Sequence, residues 1–255
     1  MIAIGVPAEG KDEPRIGMTP ETVKKLAKSG AQVTVRSGAG LRSNFPDQDY
    51  LDAGAKIAKS DADAVANADV VFTVRRPPLA LAKSMKKGAA LVGMLDPFAD
   101  AEGLDALAKT GVTLFAMELM PRITRAQSMD VLSSQSNLAG YKAVVDATAA
   151  FQRALPMMMT AAGTVPAARV FIMGVGVAGL QAIATARRLG AIVTATDVRP
   201  AVKEQVASLG AKFIAVEDEE FKQAETSGGY AKEMSDAYKK KQAELVAEHV
   251  KNQDI

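Results

Sequence analysis

Apolar and polar positions change their spacing in a regular way along the first half of the chain. Short apolar runs alternate with stretches in which apolar residues recur at helical spacing. This alternation is typical of a parallel α/β sheet covered by helices. The predicted strands are Ile2–Val6, Gln32–Arg36, Asp69–Arg75, Ala89–Leu95 and Val112–Met117.

Helix signals fall between these strands. Thr19-Pro20-Glu21 places a capping hydroxyl, a proline and an acid in the order that predicts a helix start. Gly30 predicts the end of that helix, because glycine readily adopts the left-handed conformation of a C-terminal cap. Further helices are predicted near residues 61–67, 78–87 and 101–109. Residues 1–125 therefore form a predicted N-terminal Rossmann-like domain.

A second α/β pattern begins at Ala168. The predicted order is strand Arg169–Met173, glycine turn Gly174–Gly179, helix Leu180–Leu189, strand Ala191–Asp197, helix Ala201–Leu209 and strand Lys212–Val216. This order is one βαβαβ half of a doubly wound fold. A last helix is predicted near Lys232–Val250, after a charged stretch.

A connecting segment, residues 126–167, separates the two patterns. Its polar run Ser133–Asn137 is predicted to be a loop, and a helix is predicted from about Asn137 to Leu155. The predicted fold class is α/β, with two Rossmann-like doubly wound parallel-sheet domains flanking a cleft.

The second domain, residues 168–255, is expected to be incomplete at its C-terminus. In a doubly wound sheet the first strand is central and has a further strand on its other side. Without that strand, the apolar residues of Arg169–Met173 would lie on an open edge, which proteins avoid. Gln253–Ile255 is the expected approach to the further strand.

Composition narrows the function classes. The 255-residue chain has a formal net charge of +2 and no cysteine, which excludes disulfides, thiolate nucleophiles and zinc–cysteine sites. Its charges are interspersed, so no nucleic-acid footprint is indicated. No metal site is predicted. Apolar runs are short, which predicts neither a signal peptide nor a spanning helix; a soluble chain would reach a membrane only through a partner.

The glycine turn carries the first candidate chemistry. In Gly174-Val175-Gly176-Val177-Ala178-Gly179, the three glycines allow a tight turn, a close approach to a pyrophosphate and close helix–strand packing. Asp197 closes the next strand at the spacing expected of a ribose-binding acid, and its charge favours NAD over NADP. Val198 and Arg199 follow as candidate cofactor-binding residues. Arg199 could complicate the choice between NAD and NADP, and the alternative is a solvated side chain at a helix start.

Candidates for acid–base catalysis are scarce. A dehydrogenase that oxidises a hydroxy or amino acid must move a proton as well as a hydride. The single histidine, His249, lies in a helix rich in Lys and Glu and is predicted to be solvated. A hydride passed directly between two nicotinamides requires no such group.

Several long segments resemble domain I of proton-translocating nicotinamide nucleotide transhydrogenase. The resemblance covers nearly the whole chain. It is carried by residues 116–122 (AMELMPR), 125–130 (RAQSMD), 133–141 (SSQSNLAGY), 159–164 (MTAAGT) and 228–234 (GGYAKEM).

The resemblance implies an NAD(P)⁺ transhydrogenase, Si-specific in the direction from NADH to NADP⁺, that is active only with partner components. NAD(H) would bind to this chain and NADP(H) to a partner, and a membrane component would couple hydride transfer to proton movement on the cytoplasmic side. Arg122, Asp130 and Ser133 match residues that hold the nicotinamide and its ribose. Gln127 matches one that reaches toward NADP(H), and Tyr230 matches the tyrosine of a mobile loop.

Alanine dehydrogenases share the same plan. Arg15 matches their arginine for the substrate carboxylate, whereas Arg75 and Asp96 stand where that family has its substrate-binding lysine and catalytic histidine. A self-contained amino-acid dehydrogenase is therefore the second hypothesis, and Arg15 is expected to be an ion-pair residue instead. A non-catalytic NAD-sensing module is the third hypothesis.

The resemblance also implies a homodimer. The segment Leu155–Val165 is rich in methionine and small residues, and it is the candidate contact between two copies. Packing of the same segment into a core explains the pattern equally well.

Overall fold

The computed structural model describes residues 1–121, 123–224 and 234–255. The chain divides into two compact units, Met1–Val131 and Leu132–Ile255. Each unit is built around its own parallel sheet.

The N-terminal unit contains a six-stranded sheet. Its strands are β1 (Ala3–Val6), β2 (Gln32–Arg36), β3 (Lys56–Ala58), β4 (Val70–Arg75), β5 (Ala90–Met94) and β6 (Thr113–Ala116). They lie in the order β3-β2-β1-β4-β5-β6, and every adjacent pair is parallel. The strand order reverses between β1 and β4, as in a doubly wound fold.

Short helices connect these strands. They are α1 (Pro20–Lys28), α2 (Asp47–Asp52), α3 (Asp61–Val65), α4 (Leu79–Ala82) and α5 (Ala101–Ala108). The predicted start of α1 is confirmed, because the Thr19 side chain accepts a hydrogen bond from the Thr22 amide at 3.4 Å. The five predicted strands are also present, whereas β3 and α2 are too short to give a period and were not predicted.

The C-terminal unit combines a three-stranded sheet with a hairpin. Its elements are α6 (Val131–Phe151), β7 (Met158–Thr160), β8 (Gly163–Val165), β9 (Arg169–Met173), α7 (Val177–Arg188), β10 (Ile192–Thr196), α8 (Val202–Ser208), β11 (Lys212–Phe213), α9 (Glu219–Lys222) and α10 (Asp236–Val250). The parallel sheet has the order β11-β10-β9, which confirms the predicted βαβαβ pattern. The hairpin pairs β7 with β8 in antiparallel orientation.

The connecting segment differs from its prediction. The polar run Ser133–Asn137 is helical, and α6 begins six residues earlier than predicted, at Val131. Serine and asparagine compete for backbone hydrogen bonds and so resemble a loop in sequence, but such propensity is weak against tertiary packing. The β7–β8 hairpin was not predicted either.

The outer edge of β9 has hydrogen-bonding partners. The Ile255 amide donates to the Arg169 carbonyl at 3.2 Å, and the Phe171 amide donates to the Ile255 carbonyl at 2.9 Å. This alternation is that of a parallel pair. Gln253–Ile255 thus brings the chain alongside β9, on the side away from β10, where the further strand was expected.

Helix α6 approaches the backbone of α7 closely at Gly140. A Cβ atom added to Gly140 would lie 2.0 Å from the carbonyl oxygen of Ala178, which belongs to the backbone of α7. Val144 lies one turn further on and is buried in the core of the C-terminal unit. Glycine is therefore required at this crossing point.

We expect Gly140→Ala to destabilise the C-terminal unit. In an unobstructed helix, alanine would stabilise by about 0.5–1 kcal/mol relative to glycine. Here the methyl group meets rigid backbone, and overpacking of this kind costs about 1–3 kcal/mol. Thermal unfolding should therefore show a lower midpoint. Ala139→Gly, at the exposed neighbouring position, measures how much helix propensity alone changes the unfolding midpoint. A raised midpoint for Gly140→Ala would contradict the close packing of α6 on α7 at this residue.

His249 is not the solvated residue that its sequence context predicted. Its Nε2 atom lies 2.9 Å from the Thr194 hydroxyl, and its ring packs edge-on against Phe171 with 4.9 Å between centroids. Partial burial, and then the charge of Lys212, lower the pKa of His249 below its ordinary 6.5. The neutral ring thus joins α10 to the sheet.

Acid should weaken this attachment. Because the folded state lowers the pKa, the stabilisation is present above about pH 6.5 and is lost as the pH falls through the lower folded value. His249→Gln keeps a donor near Thr194 but does not titrate. Between about pH 7.5 and about pH 5.5, the unfolding midpoint of the wild type should fall more than that of the variant. Parallel curves would contradict this assignment.

Candidate functional site

The glycine-rich turn follows β9 directly. Gly174 has a φ of +94°, a left-handed conformation that favours glycine, and its amide donates to the Thr196 carbonyl at 2.8 Å. Helix α7 begins at Val177, so Val177, Ala178 and Gly179 form its first turn and not an extended loop. The predicted strand–turn–helix context of the fingerprint is present.

Gly176 and Gly179 differ in their surroundings. A Cβ atom on Gly179 would lie 1.8 Å from the Gly174 carbonyl oxygen, so this glycine is needed for helix and turn to pack. A Cβ atom on Gly176 would meet no atom within 4 Å from the described residues other than its chain neighbours. The space over Gly176 is therefore open to a ligand.

Among the residues that the structure describes, no side chain caps the N-terminus of α7. Its N-cap is Gly176, with no side-chain hydrogen bond and no acidic residue in the first turn. Among the described residues, side chains cap α1, α3, α5, α9 and α10, whereas α2, α4 and α8 also lack a side-chain cap. The capping side chains are those of Thr19, Ser60, Asp100, Asp218 and Ser235. Amide groups at an uncapped helix N-terminus attract anions, phosphates above all.

Asp197 lies beside this turn. Its Oδ2 accepts from the Val175 amide at 2.7 Å and from Nη2 of Arg199 at 3.0 Å. Its Oδ1 accepts from the amide and the Nε of Arg199, both at 2.9 Å. Burial would raise the pKa of Asp197, but the hydrogen bonds from Arg199 and Val175 outweigh it and lower the pKa. Arg199 is thus an ion-pair partner of Asp197, with a side chain that is partly exposed.

An apolar groove of about 710 Å³ is lined in part by Val198, the residue after Asp197. It lies at the ends of β9 and β10 and along one face of α10. Its lining includes Met173, Val198, Met234, Tyr238, Gln242 and Val246. The α10 side of this groove was not predicted from the sequence, although Tyr238, Gln242 and Val246 recur every fourth residue and so share one helix face.

In the N-terminal unit, acidic side chains occupy the corresponding strand ends. Glu9 accepts from the amides of Val74 and Arg75 at 2.6 and 3.1 Å, at the end of β4. Burial raises the pKa of Glu9. Asp61 accepts from the Ala8 amide, just after β1, at 2.8 Å.

The ends of β2 and β5 follow the same pattern. Asp47 accepts from the Gly38 amide at 2.7 Å. Glu118 accepts from the amides of Leu95 and Asp96 at 3.1 and 2.7 Å. These amides lie at the edge where doubly wound sheets bind ligands, and the protein's own carboxylates already occupy them.

Arg15 and Arg75 converge on one carboxylate in this unit. Glu13 is 6% exposed, and Arg15 binds it through Nε and Nη2, each at 2.6 Å. Arg75 adds a contact at 3.0 Å. The bonds from Arg15 are the main reason that the pKa of Glu13 falls to about 2. The ion pair predicted for Arg15 is present.

The residues assigned to the nicotinamide end lie before and at the start of α6. Gln127 is exposed in a 3₁₀ helix, Thr124–Met129. Asp130 follows it, and Ser133 lies in the first turn of α6. Arg122 and Tyr230 lie outside the described residues. The roles of all five residues remain predictions.

Among residues 1–121, 123–224 and 234–255, no helix combines the length and apolar character that a membrane crossing requires. Within the same ranges, no three histidine, cysteine, aspartate or glutamate side chains are grouped so that they could hold a metal ion.

Two family models match the chain. Residues 5–139 match the N-terminal domain of the alanine dehydrogenase/PNT family, and residues 143–255 match its C-terminal domain.

The chain is 55% identical over 258 aligned positions to an NAD(P) transhydrogenase subunit alpha polypeptide of Rhodospirillum rubrum, covering 99% of this chain and 67% of that protein. The crystal structure of transhydrogenase from Sinorhizobium meliloti matches with a TM-score of 0.88 and 56% identity, over 98% of this chain and 67% of the other. A structure of L-alanine dehydrogenase matches with a TM-score of 0.71 and 30% identity, over 83% and 60% of the two chains. The chain thus spans about two-thirds of the length of the two transhydrogenase relatives. It belongs to the alanine dehydrogenase/PNT family, and it is more similar to these transhydrogenase proteins than to alanine dehydrogenase.

Proposed function

We propose that this chain is the NAD(H)-binding component of a proton-translocating transhydrogenase. The observation that carries the proposal is the uncapped N-terminus of α7, with open space over Gly176 and the carboxylate of Asp197 beside it. The similarity to transhydrogenase alpha subunits supports it.

The residues of the C-terminal unit fit the parts of a dinucleotide. The amides of the first turn of α7 would hold the pyrophosphate, because no side chain among the described residues caps them. Asp197 would accept hydrogen bonds from the hydroxyls of the adenosine ribose. The apolar groove beside Val198 would take the flat adenine ring.

The chain's other residues are poorly placed for amino-acid oxidation, the alternative function. His249 is bound to Thr194 and packed against Phe171, and Arg75 is paired with Glu13. Asp96, whose amide is held by Glu118, replaces the histidine expected of an alanine dehydrogenase. Bound NADH would supply a hydride, and direct transfer to a second nicotinamide requires alignment without a proton shuttle.

The partners follow from the same proposal. NADP(H) would be bound on a separate component, and a membrane component would couple transfer to proton translocation, with this chain attached peripherally on the cytoplasmic side. Arg122, Asp130 and Ser133 would hold the nicotinamide, Gln127 would reach toward NADP(H), and closure of the loop at Tyr230 would exclude water.

A homodimer contact at the β7–β8 hairpin is part of the proposal. Met158, Met159 and Val165 are exposed on this hairpin, and exposed apolar surface of this kind favours association. Leu155 is buried in the core of the C-terminal unit. The proposed dimer contact is therefore limited to the part of the segment that follows Leu155.

Mixing the protein with a cognate NADP(H)-binding component tests the function. We expect NADH-dependent reduction of an NADP⁺ analogue, followed by absorbance, only when both proteins are present. We expect no NAD⁺ reduction when alanine is added to this protein alone. Turnover with alanine would instead support the dehydrogenase alternative, and NADH binding without transfer in any mixture would support a sensing module.

Gly176→Ala tests the nucleotide site without disturbing the fold. Its φ of −78° suits alanine and no atom lies within 4 Å of the added Cβ, so the unfolding free energy should change by less than about 0.5 kcal/mol. The methyl group would keep the pyrophosphate from the α7 amides, raising the NADH dissociation constant at least about tenfold. Calorimetric titration measures the change.

Gly179→Ala is the matched control. Its Cβ would collide with the Gly174 carbonyl oxygen at 1.8 Å, so this variant, unlike Gly176→Ala, should have a lower unfolding free energy. An unchanged dissociation constant for Gly176→Ala would place the nucleotide elsewhere.

A further inference from the structure

The carboxylate of Asp197 is saturated with hydrogen bonds. Four donors reach it: the amide of Val175, and the amide, Nε and Nη2 of Arg199. A carboxylate offers about four lone-pair sites. A ribose that binds to Asp197 through its hydroxyls must therefore displace donors that are already present.

The side chain of Arg199 is the donor group that can leave. The two amide donors belong to the backbone of the glycine turn and of the segment after β10. The guanidinium is carried on a flexible side chain that is 28% exposed, whereas the side chain of Asp197 is 7% exposed. Rotation of the Arg199 side chain would free one site on each carboxylate oxygen.

We propose that Arg199 is a specificity-determining residue of the nucleotide site, because its guanidinium shields Asp197 and competes with the ribose hydroxyls. The inference rests on the proposed NAD(H)-binding function. A displaced guanidinium stays tethered two residues from Asp197, within reach of a group on the ribose 2′ position. It would pair there with a 2′-phosphate, since Arg binds phosphate through two parallel hydrogen bonds.

Discrimination between NADH and NADPH is then set by the ion pair and not by Asp197 alone. Asp197 repels a 2′-phosphate, and Arg199 offsets part of that repulsion. Arg199 also hinders NADH, which must break the pair and gains no phosphate contact in return. Removing the guanidinium should therefore strengthen NADH binding and weaken NADPH binding.

The test compares dissociation constants for NADH and NADPH by calorimetry at one ionic strength. Arg199→Met removes both the guanidinium donors and the positive charge. Arg188→Met is the matched control, because it removes the same charge from the exposed end of α7, about 17 Å along the helix from the glycine turn. Arg199→Lys keeps the positive charge but removes the paired donors of the guanidinium.

Relative to the control, Arg199→Met should bind NADH about threefold to tenfold more tightly and NADPH about tenfold more weakly. Arg199→Lys should give an intermediate ratio of the two constants. Thermal midpoints near that of the wild type would show that the variants fold. Weaker NADH binding, or equal changes for both nucleotides, would overturn this inference and leave the proposed function intact. A wild-type protein that fails to bind NADH would overturn both.

Discussion

Amide groups at the carboxyl edge of a parallel sheet need hydrogen-bonding partners, and the two units meet this need in different ways. In the N-terminal unit, Glu9, Asp61 and Glu118 accept hydrogen bonds from the amides that follow β4, β1 and β5. An unpartnered buried amide costs about 1–3 kcal/mol, so these carboxylates stabilise the strand ends. In the C-terminal unit, no side chain among the described residues caps α7. The same topology therefore has its strand-end amides bound by carboxylates in one unit, whereas the first-turn amides of α7 in the other have no side-chain cap among the described residues.

Asp197 joins the geometry of the glycine turn to the choice of ligand. Its bond to the Val175 amide fixes the turn, and the close contact of Gly179 with Gly174 fixes the helix behind it. In the proposed function this carboxylate, already paired with Arg199, would be the recognition group for a ribose. A substitution at Asp197 would disturb both the turn and the recognition group. Substitutions at Gly176 or Arg199 separate the two effects.

The sequence predicted what depends on local pattern and missed what depends on distant contacts. Apolar runs predicted the main strands. The spacing from Gly174 to Asp197 predicted that the glycine turn and Asp197 belong to one nucleotide site. β3 is three residues long and gives no periodicity. The need for glycine at position 140 depends on the backbone of Ala178 in α7. The environment of His249 depends on Phe171 and Thr194, which lie in other elements. The saturation of Asp197 required the positions of side-chain atoms.

The match to alanine dehydrogenase shows that the fold alone does not determine which reaction a protein of this family catalyses. Both kinds of protein share the two-domain plan, so the chemistry depends on which side chains stand at the strand ends. In this chain Arg15 and Arg75 are both engaged by Glu13, a nearly buried carboxylate. A substrate carboxylate at the same place would have to compete with an acceptor that is already bound and whose pKa is lowered to about 2. In the N-terminal unit the two arginines are therefore already paired with a carboxylate of the chain itself.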